Sequence, residues 1–519
     1  MKKKEHISIW EPGIIIFGSI LAILSAAICM QIMGQFGTTP NTSLIGVVLV
    51  MILARIPLMF VQKFRNLERQ NYVLSMASSA GFAAANCGFV AVATMFIMGR
   101  NDLIMPMAFA TLIGSIISIY TIGKIFGSKI FPANSTWPMG KAVATAIEAG
   151  DKGGKKGWHL LQGLIVGAVA SFFNIPAAGI GIAFIANTFA ITALGMGMVL
   201  RGYSQQIFNG FDIGSSNIAQ GLMIGAGIVS LVQIILVVAN KRNKKQDNTD
   251  SSINYDVSSR SVANIIARSA LLFVLGALVV AFITGIFYDM TLFQSILWLI
   301  FTGIACISVM ILVGTSSMHS GFAPTFAIVT IFLTLGILIG FAPLPLAVMI
   351  GYLGSVGPCL ADTGIGLKTG WIIRGEGKNA AYELYGRKKQ IVLKQLGAII
   401  GICMVIISGM VLIEGYVIPP MSIFYASTVT ETASYNLINE LMLWAIPGTI
   451  LQVIFGNKSV GLMLATGLLI NNAVYGIVLL SSVCLRLIIG TKHMNVRGPG
   501  LIAGDGLFGF GVNIFRAFF

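Results

Sequence analysis

Long apolar stretches follow one another along almost the whole chain, and they restrict the solvents in which it can fold. Only 10% of the residues are charged, 56% are hydrophobic, and the mean hydropathy is +0.89. Soluble domains average about 25% charged residues, so this chain lacks the charged surface that water requires. We therefore predict a membrane protein whose apolar segments are solvated by lipid, and we expect its function to concern what crosses the bilayer.

The apolar stretches are long enough to be membrane spans, since a helix that crosses the hydrocarbon core needs about 20 apolar residues. Allowing for merged or re-entrant segments, we predict an all-α polytopic membrane protein with about 14 transmembrane helices. The candidate spans are 13–33, 44–62, 73–97, 103–126, 160–174, 176–199, 216–239, 263–287, 292–313, 322–341, 343–360, 391–414, 437–455, 459–488 and 500–517.

The basic residues lie mainly in short segments between these spans. The net charge is +15, but Lys and Arg accumulate in the cytoplasmic loops of membrane proteins, so we do not expect nucleic-acid binding. Lys2, Lys3 and Lys4 predict a cytoplasmic N-terminus in a multi-pass protein of the plasma (inner) membrane. Further cytoplasmic loops are predicted at 63–69, 124–158 and 368–389.

The longest polar segment, 241–261, divides the chain. We predict that it is a cytoplasmic linker between an N-terminal transmembrane half, 1–240, and a C-terminal transmembrane half, 262–519. The sequences GLMIGAG (221–227) and GLIAGDG (500–506) share the pattern G-L-x-x-G-x-G, and both contain a Gly-xxx-Gly spacing suited to close helix contacts. Because internal repeats are common in secondary transporters, this echo favours two related halves.

Segment 200–227 is predicted to contain a broken or re-entrant element. Both 152–156 and 241–245 are basic and should be cytoplasmic, which requires an even number of crossings between them, yet three apolar segments lie there. One of these segments is re-entrant, or LRGYSQQIFNGFDIGS (200–215) enters the membrane, or a boundary is misplaced. Irregular backbone at membrane depth is buried in protein or lines a cavity, so this segment is a candidate for a pathway across the membrane.

Asp505 is the sharpest candidate for function, because ionisable groups inside spans are costly to bury. It lies between Gly504 and Gly506 in a long apolar stretch. A carboxylate held in low dielectric can bind and release a proton in the physiological range, which suits proton coupling. The alternative is a structural pairing with Arg497 or Lys492.

Asp362 and Lys368 lie in the glycine-rich segment VGPCLADTGIGLKTGWIIRG (356–375). We expect a broken or irregular segment there, because such breaks expose backbone groups that can hold ions or substrate. The alternative is an ordinary cytoplasmic turn. We assign Asp362, together with Asp505, to proton or cation coupling, and Lys368 to substrate binding.

Other polar residues are candidates for substrate contact. Lys141 and Glu148 are seven residues apart and share a helix face, which lines a cavity or belongs to a solvated loop. Arg201, Tyr203 and Asp212 flank the suspected re-entrant element. The Arg201 guanidinium matches a substrate carboxylate, although a topology anchor is slightly favoured. We expect Lys141, Glu148, Arg201 and Tyr203 to be substrate-binding residues.

The sequence lacks the signatures of several enzymes and pumps. It has no G-x-x-x-x-G-K-[ST] phosphate loop, and GDKGGKKG (150–157) has the wrong spacing. The four His residues do not cluster and there is no CxxC pair, so we expect no metal site and no cofactor. We therefore expect a protein that is not an enzyme.

Several stretches resemble the oligopeptide transporter family, which includes the yellow stripe-like metal–chelate transporters. Leu367 stands where the family often has an acid directly before Lys-Thr-Gly. The stretches that carry the resemblance are TWPMGKAVATAIEAG (136–150), LRGYSQQIFNG…GLMIGAG (200–227), LADTGIGLKTGWIIRG (360–375), GRKKQIVLKQLGAIIG (386–401) and GPGLIAGDGLFG (498–509).

The resemblance implies a polytopic secondary transporter that moves small peptides or peptide-like metal chelates, typically with protons. Our first hypothesis is proton-coupled symport of short oligopeptides, with H⁺ as the coupling ion. The second keeps the fold and changes the cargo to a metal chelate or siderophore, and the third is a membrane enzyme or scaffold of another class. The expected partners are a small peptide or peptide-like solute and the lipid bilayer, and a homo-oligomer is left open.

Overall fold

The computed structural model describes residues 7–37, 39, 46, 66–152, 154–244, 259–320, 323, 325–430, 435–458, 460–491 and 494–518. These residues form helices and contain no β-strand, which confirms the predicted all-α fold. In chain order the helices are α1 (Pro12–Phe36), α2 (Leu67–Ile97), α3 (Ile104–Ile125), α4 (Pro138–Lys152), α5 (Gly154–Phe172), α6 (Ala177–Ile185), α7 (Thr188–Gly202), α8 (Ile218–Lys244), α9 (Ser259–Thr284), α10 (Leu292–Ser320), α11 (Thr325–Ile339), α12 (Pro343–Ile373), α13 (Ala380–Glu414), α14 (Pro420–Thr430), α15 (Tyr435–Phe455), α16 (Val460–Leu469), α17 (Ala473–Ile489) and α18 (Met494–Phe518).

Many of these helices have the composition of membrane spans. Seven are long and apolar enough to cross a bilayer, namely α1, α2, α3, α9, α10, α12 and α13, and seven others contain shorter apolar stretches. The described part of the chain is therefore that of a polytopic membrane protein, as predicted. The predicted span 44–62 lies outside the described residues apart from residue 46. The predicted linker is described only at its ends, where 241–244 complete α8 and 259–261 begin α9.

The centre of the bundle is formed by α2, α12 and α13. The apolar windows of α2 and α12 are each 83% buried inside the protein, whereas that of α9 is 33% buried. Helix α13 packs against both α2 and α12. Polar side chains on the facing surfaces of these three helices are therefore shielded from lipid, which is where ionisable groups within a membrane protein are tolerated.

Glycines allow close approach in two helix pairs that contain the G-L-x-x-G-x-G sequences. Helix α8 packs on α15, and a Cβ added at Gly225 would lie within 2.9 Å of backbone atoms of Ala445. Helix α18 packs on α5, and a Cβ added at Gly504 would lie 2.8 Å from the backbone nitrogen of Ala168. The close helix contacts expected from the glycine spacing are thus present in both halves of the chain.

Two of the predicted spans are interrupted. The predicted span 176–199 is divided into α6 and α7, and the predicted span 459–488 is divided into α16 and α17. Asn187 and Asn472 cap the second helix of each pair, because each side-chain carbonyl accepts a backbone N–H from the first turn. Helix α7 packs against α16 and α17, so the two interrupted elements lie together.

Segments predicted to be cytoplasmic meet at one end of the bundle. Arg69, near the start of α2, forms a 3.0 Å ion pair with Glu11 before α1. Tyr382, near the start of α13, donates a 2.6 Å hydrogen bond to Glu68. Arg387 donates to the backbone carbonyl that follows α3. The positive-inside interpretation is therefore internally consistent, since these segments share one face of the molecule.

Candidate functional site

A fully buried ion pair joins α12 to α13. The Lys394 Nζ atom lies 2.5 Å from Asp362 Oδ2 and donates a 2.7 Å hydrogen bond to Ser78 Oγ on α2. The side chains of both charged residues are 0% exposed. The helices that hold these three residues are the central ones, so the pair is shielded from both lipid and water.

The Lys394 ammonium is well supplied with acceptors. Besides Asp362 Oδ2 and Ser78 Oγ, the backbone carbonyl oxygen of Asp362 lies 3.3 Å from Nζ, and an ammonium has three protons to donate. Removing one partner from a buried ion pair typically costs about 3–5 kcal/mol, because the other charge is left uncompensated. Ionisable groups inside membrane spans are retained chiefly for function, so this pair is the strongest candidate for a functional site.

The sequence analysis selected Asp362 but missed its two partners. Lys394 lies inside the predicted span 391–414, and an ionisable residue within a span is itself a signal of function. That signal was available and would have identified Lys394. Ser78 had no comparable signal, because hydroxyl side chains are common in transmembrane helices and only the packing of α2 on α13 brings it to the pair.

A second buried polar cluster lies beside the pair. Arg374, which follows α12, donates hydrogen bonds of 2.7 and 3.1 Å to the Glu383 carboxylate on α13. Arg387 lies 3.4 Å from the same carboxylate. Gln390, one helical turn before Lys394, accepts a hydrogen bond from Arg374 and donates one to a backbone carbonyl of α12. Helices α12 and α13 are thereby joined by polar contacts over several turns.

The glycine-rich segment of α12 is continuous. Neither the irregular segment nor the turn considered for 356–375 is present, because α12 is helical throughout this range. The glycines instead make room for large side chains. A Cβ at Gly364 would collide with the ring of Trp137, and one at Gly366 would lie 2.7 Å from Lys394 Cε. The segment is rich in glycine because bulky and charged neighbours pack directly on the helix backbone.

Lys368 has partners other than those of the ion pair. Its Nζ donates a 2.8 Å hydrogen bond to the carbonyl of Ala133, between α3 and α4, and lies 4.1 Å from the centre of the Trp371 ring. The structure therefore does not join Lys368 to Asp362. Its role in substrate binding stays a prediction.

The remaining predicted substrate residues lie on other elements. Lys141 and Glu148 are both exposed on α4. Arg201, at the end of α7, forms an ion pair with Asp212, and Tyr203 beside it is 41% exposed. The pairing with Asp212 gives the Arg201 guanidinium a local partner that the sequence analysis did not assign. The roles of these residues also stay predictions.

Asp505 contacts the start of an interrupted helix. Its Oδ2 atom accepts a 2.7 Å hydrogen bond from the backbone N–H of Ala178, in the first turn of α6. A carboxylate at a helix N-terminus is favoured by the helix dipole and satisfies an amide that lacks an intrahelical partner. Arg497, one structural partner considered for Asp505, contacts His159. Lys492, the other, lies outside the described residues.

A comparison with known families agrees with this architecture. Residues 12–240 match the family model described as OPT oligopeptide transporter protein. The resemblance to the oligopeptide transporter family is confirmed. The matched segment runs from α1 into α8 and includes α2, the helix that contributes Ser78 to the buried pair. A search of curated proteins found no match.

The family match and the apolar helices together define the class of protein. The family is one of oligopeptide transporters rather than enzymes, and the described helices have the length and composition of membrane spans. The chain is therefore a multi-pass membrane protein of a transporter family, and a peptide solute and the lipid bilayer are the partners that this family implies.

Proposed function

We propose that this protein is a secondary active transporter that carries short oligopeptides together with protons across the plasma (inner) membrane. The family match supports the peptide cargo. The observation that carries the proton coupling is the ion pair between Asp362 and Lys394, whose side chains are 0% exposed between central helices. Within such a pair, one carboxylate can be protonated only if another anion takes its place beside the ammonium.

The coupling follows from the need to keep the Lys394 charge compensated. In the empty transporter the Asp362 carboxylate is the counter-ion. When a proton binds to an Asp362 carboxyl oxygen, the attraction to Lys394 is lost, and the buried ammonium is left without a partner. A peptide carboxylate that enters the site restores the pairing. Proton and peptide therefore bind together, since either alone leaves an uncompensated charge in low dielectric.

The other predicted site residues are given supporting roles. Asp505 is a second candidate for proton or cation coupling at the start of α6. Alternating access in secondary transporters commonly uses broken helices near the substrate site, and the α6–α7 and α16–α17 pairs are interrupted elements of that kind. The predicted contacts to the peptide come from Lys368, Arg201, Tyr203, Lys141 and Glu148.

The test is peptide uptake by purified protein in proteoliposomes. A mixed pool of tri- and tetrapeptides is supplied with and without an inward proton gradient, and accumulated peptide is measured. We expect accumulation only with the gradient, no accumulation by Asp362→Asn, and normal accumulation by Asp289→Asn, a matched control at an exposed turn. Gradient-independent uptake by folded wild-type protein would contradict proton coupling.

A metal–chelate cargo is the alternative on the same fold. The same liposomes are offered chelated iron or a siderophore, with and without an excess of free peptide. Uptake of the chelate that peptide does not inhibit, combined with no peptide accumulation, would replace the peptide proposal. Inhibition of peptide uptake by other peptides but not by chelates supports it.

A further inference from the structure

A small cavity lies between α2, α11, α12 and α14, apart from the residues that the coupling mechanism uses. It has a volume of about 10 Å³, which is roughly the space that one water-sized occupant needs. Polar or backbone groups are contributed to its wall by Asn86 and Thr94 of α2, Gly354 of α12 and Tyr425 of α14. None of its lining residues is acidic or basic.

The backbone of α12 is irregularly bonded where it lines this cavity. Pro358 lies inside α12, and a proline has no N–H to donate to the carbonyl four residues earlier. That carbonyl belongs to Gly354. A Cβ added at Gly354 would have no atom within 4 Å, so this face of the helix borders open space. The Gly354 carbonyl thus lacks its regular helical donor at the wall of a cavity.

The opposite wall is also irregular. Residues Ala83–Phe89 of α2 form a π-helix, a feature that appears mostly as single turns and often at functional sites. Asn86 lies within this turn, and its amide oxygen accepts a 3.3 Å hydrogen bond from the hydroxyl of Thr39. Two irregular helical segments therefore face one another across the cavity, with side-chain and backbone oxygens between them.

Unpartnered hydroxyl groups lie next to the lining residues. Thr428 is one turn after Tyr425 on α14, and Thr325 immediately precedes the lining residue Phe326 on α11. Both threonines are 3% exposed, and neither hydroxyl has a hydrogen-bond partner among the described residues. Buried polar groups of native proteins are nearly always satisfied, so hydroxyls left open beside a cavity point to an absent ligand.

We propose that this cavity is a binding site for a compact monovalent cation, either a metal ion or the terminal ammonium of a peptide. Carbonyl, amide and hydroxyl oxygens are ligands for hard cations, and unwound backbone carbonyls coordinate ions within transporters. The cavity's size suits one such ion or head group. The proposal does not depend on proton coupling at Asp362, because the two sites use different residues.

The site is tested by ligand-dependent thermal stability of the purified protein in lipid nanodiscs. Unfolding midpoints are compared in NaCl, KCl and choline chloride at equal ionic strength, and then with a tripeptide and its N-acetylated form in choline chloride. A midpoint raised by Na⁺ or K⁺ identifies a metal ion as the occupant. A midpoint raised only by the peptide with a free amine identifies the ammonium group. No stabilisation by any of these would overturn the proposal.

Two substitutions locate the site, and each has a matched control. Gly354→Ala adds a methyl group to open space, and Pro358→Ala restores the missing N–H donor, so both variants should fold. We expect each to weaken cation binding about ten-fold or more. Gly511→Ala, where a Cβ also meets open space, and Pro447→Ala, at another proline within a helix, should bind as wild type does.

The outcomes separate this inference from the transport proposal. Stabilisation that survives in both cavity variants would assign the cation to a different place and overturn the inference. Cation binding that disappears in both variants, in a protein that does not accumulate peptide, would retain the cavity site while contradicting peptide symport.

Discussion

Lys394 lies 2.5 Å from Asp362 although 32 positions separate them along the chain. Each side chain comes from a central helix, and neither is exposed. The pair combines a strong mutual dependence with a position inside the membrane-spanning bundle. Its members therefore offer direct tests of the proposed mechanism, provided that effects on folding are measured alongside effects on transport.

The first prediction concerns the separation of stability from transport at this pair. Asp362→Asn and Lys394→Met should each lower the free energy of unfolding by about 3–5 kcal/mol, because each leaves a buried group without its partner. The double variant Asp362→Leu/Lys394→Met should recover most of this loss, since apolar replacement of a buried pair is often neutral. Denaturant unfolding in detergent measures the stabilities.

Transport should not recover with stability in the double variant. Without a titratable carboxylate and its counter-ion, no gradient-driven peptide accumulation is expected in proteoliposomes. If the double variant both folds and concentrates peptide as wild type does, the pair is a structural feature and the coupling role belongs elsewhere.

The second prediction concerns Gly366, which faces the Lys394 side chain. A Cβ at this position would lie 2.7 Å from Lys394 Cε and 3.0 Å from Nζ, so Gly366→Ala should displace the ammonium from Asp362. We expect loss of peptide accumulation and a destabilisation of about 1–3 kcal/mol, as for other overpacked sites. Gly511→Ala is the control, and equal behaviour of the two variants would argue against a role for the pair's geometry.

The third prediction separates two roles of Asp505. Asp505→Asn retains an oxygen that can accept the hydrogen bond from Ala178, but it removes the titratable charge. As a coupling residue, Asp505 should lose gradient-driven accumulation in this variant while the protein stays folded. Asp505→Ala should in addition lose about 1 kcal/mol of stability with the helix cap.

The measurements for Asp505 are the proteoliposome uptake assay and the unfolding midpoint of each variant. Normal accumulation by Asp505→Asn, together with the destabilisation of Asp505→Ala, would reduce Asp505 to a cap that holds the start of α6. Asp362 would then be the remaining coupling candidate.

The fourth prediction concerns membrane orientation. Lys378 lies in the exposed connection before α13, at the end of the bundle where the predicted cytoplasmic segments meet, and Asp289 lies at an exposed turn between α9 and α10. A cysteine at Asp289 should react with a membrane-impermeant maleimide in intact cells. One at Lys378 should react only after permeabilisation. The reverse pattern would place the N-terminus outside.

The sequence predicted the broken elements better than their location. The even-crossing argument pointed to a break near 200–215, and α7 does end at Gly202 with irregular backbone beyond it. The helix-dividing interruptions occur instead between α6 and α7 and between α16 and α17, where Asn187 and Asn472 start new helices. An Asn cap is a weak signal against a long apolar run, so both stretches were predicted to be single spans.

Lipid solvation, helical class and the placement of basic segments at one end were determined by the sequence alone. Charge is too scarce for water, backbone groups in lipid must be satisfied within helices, and basic loops follow the membrane's polarity. Only the tertiary structure brought Asp362, Lys394 and Ser78 together. In a membrane protein the faces toward lipid and toward protein are both apolar, so hydrophobic periodicity does not reveal which helix faces meet.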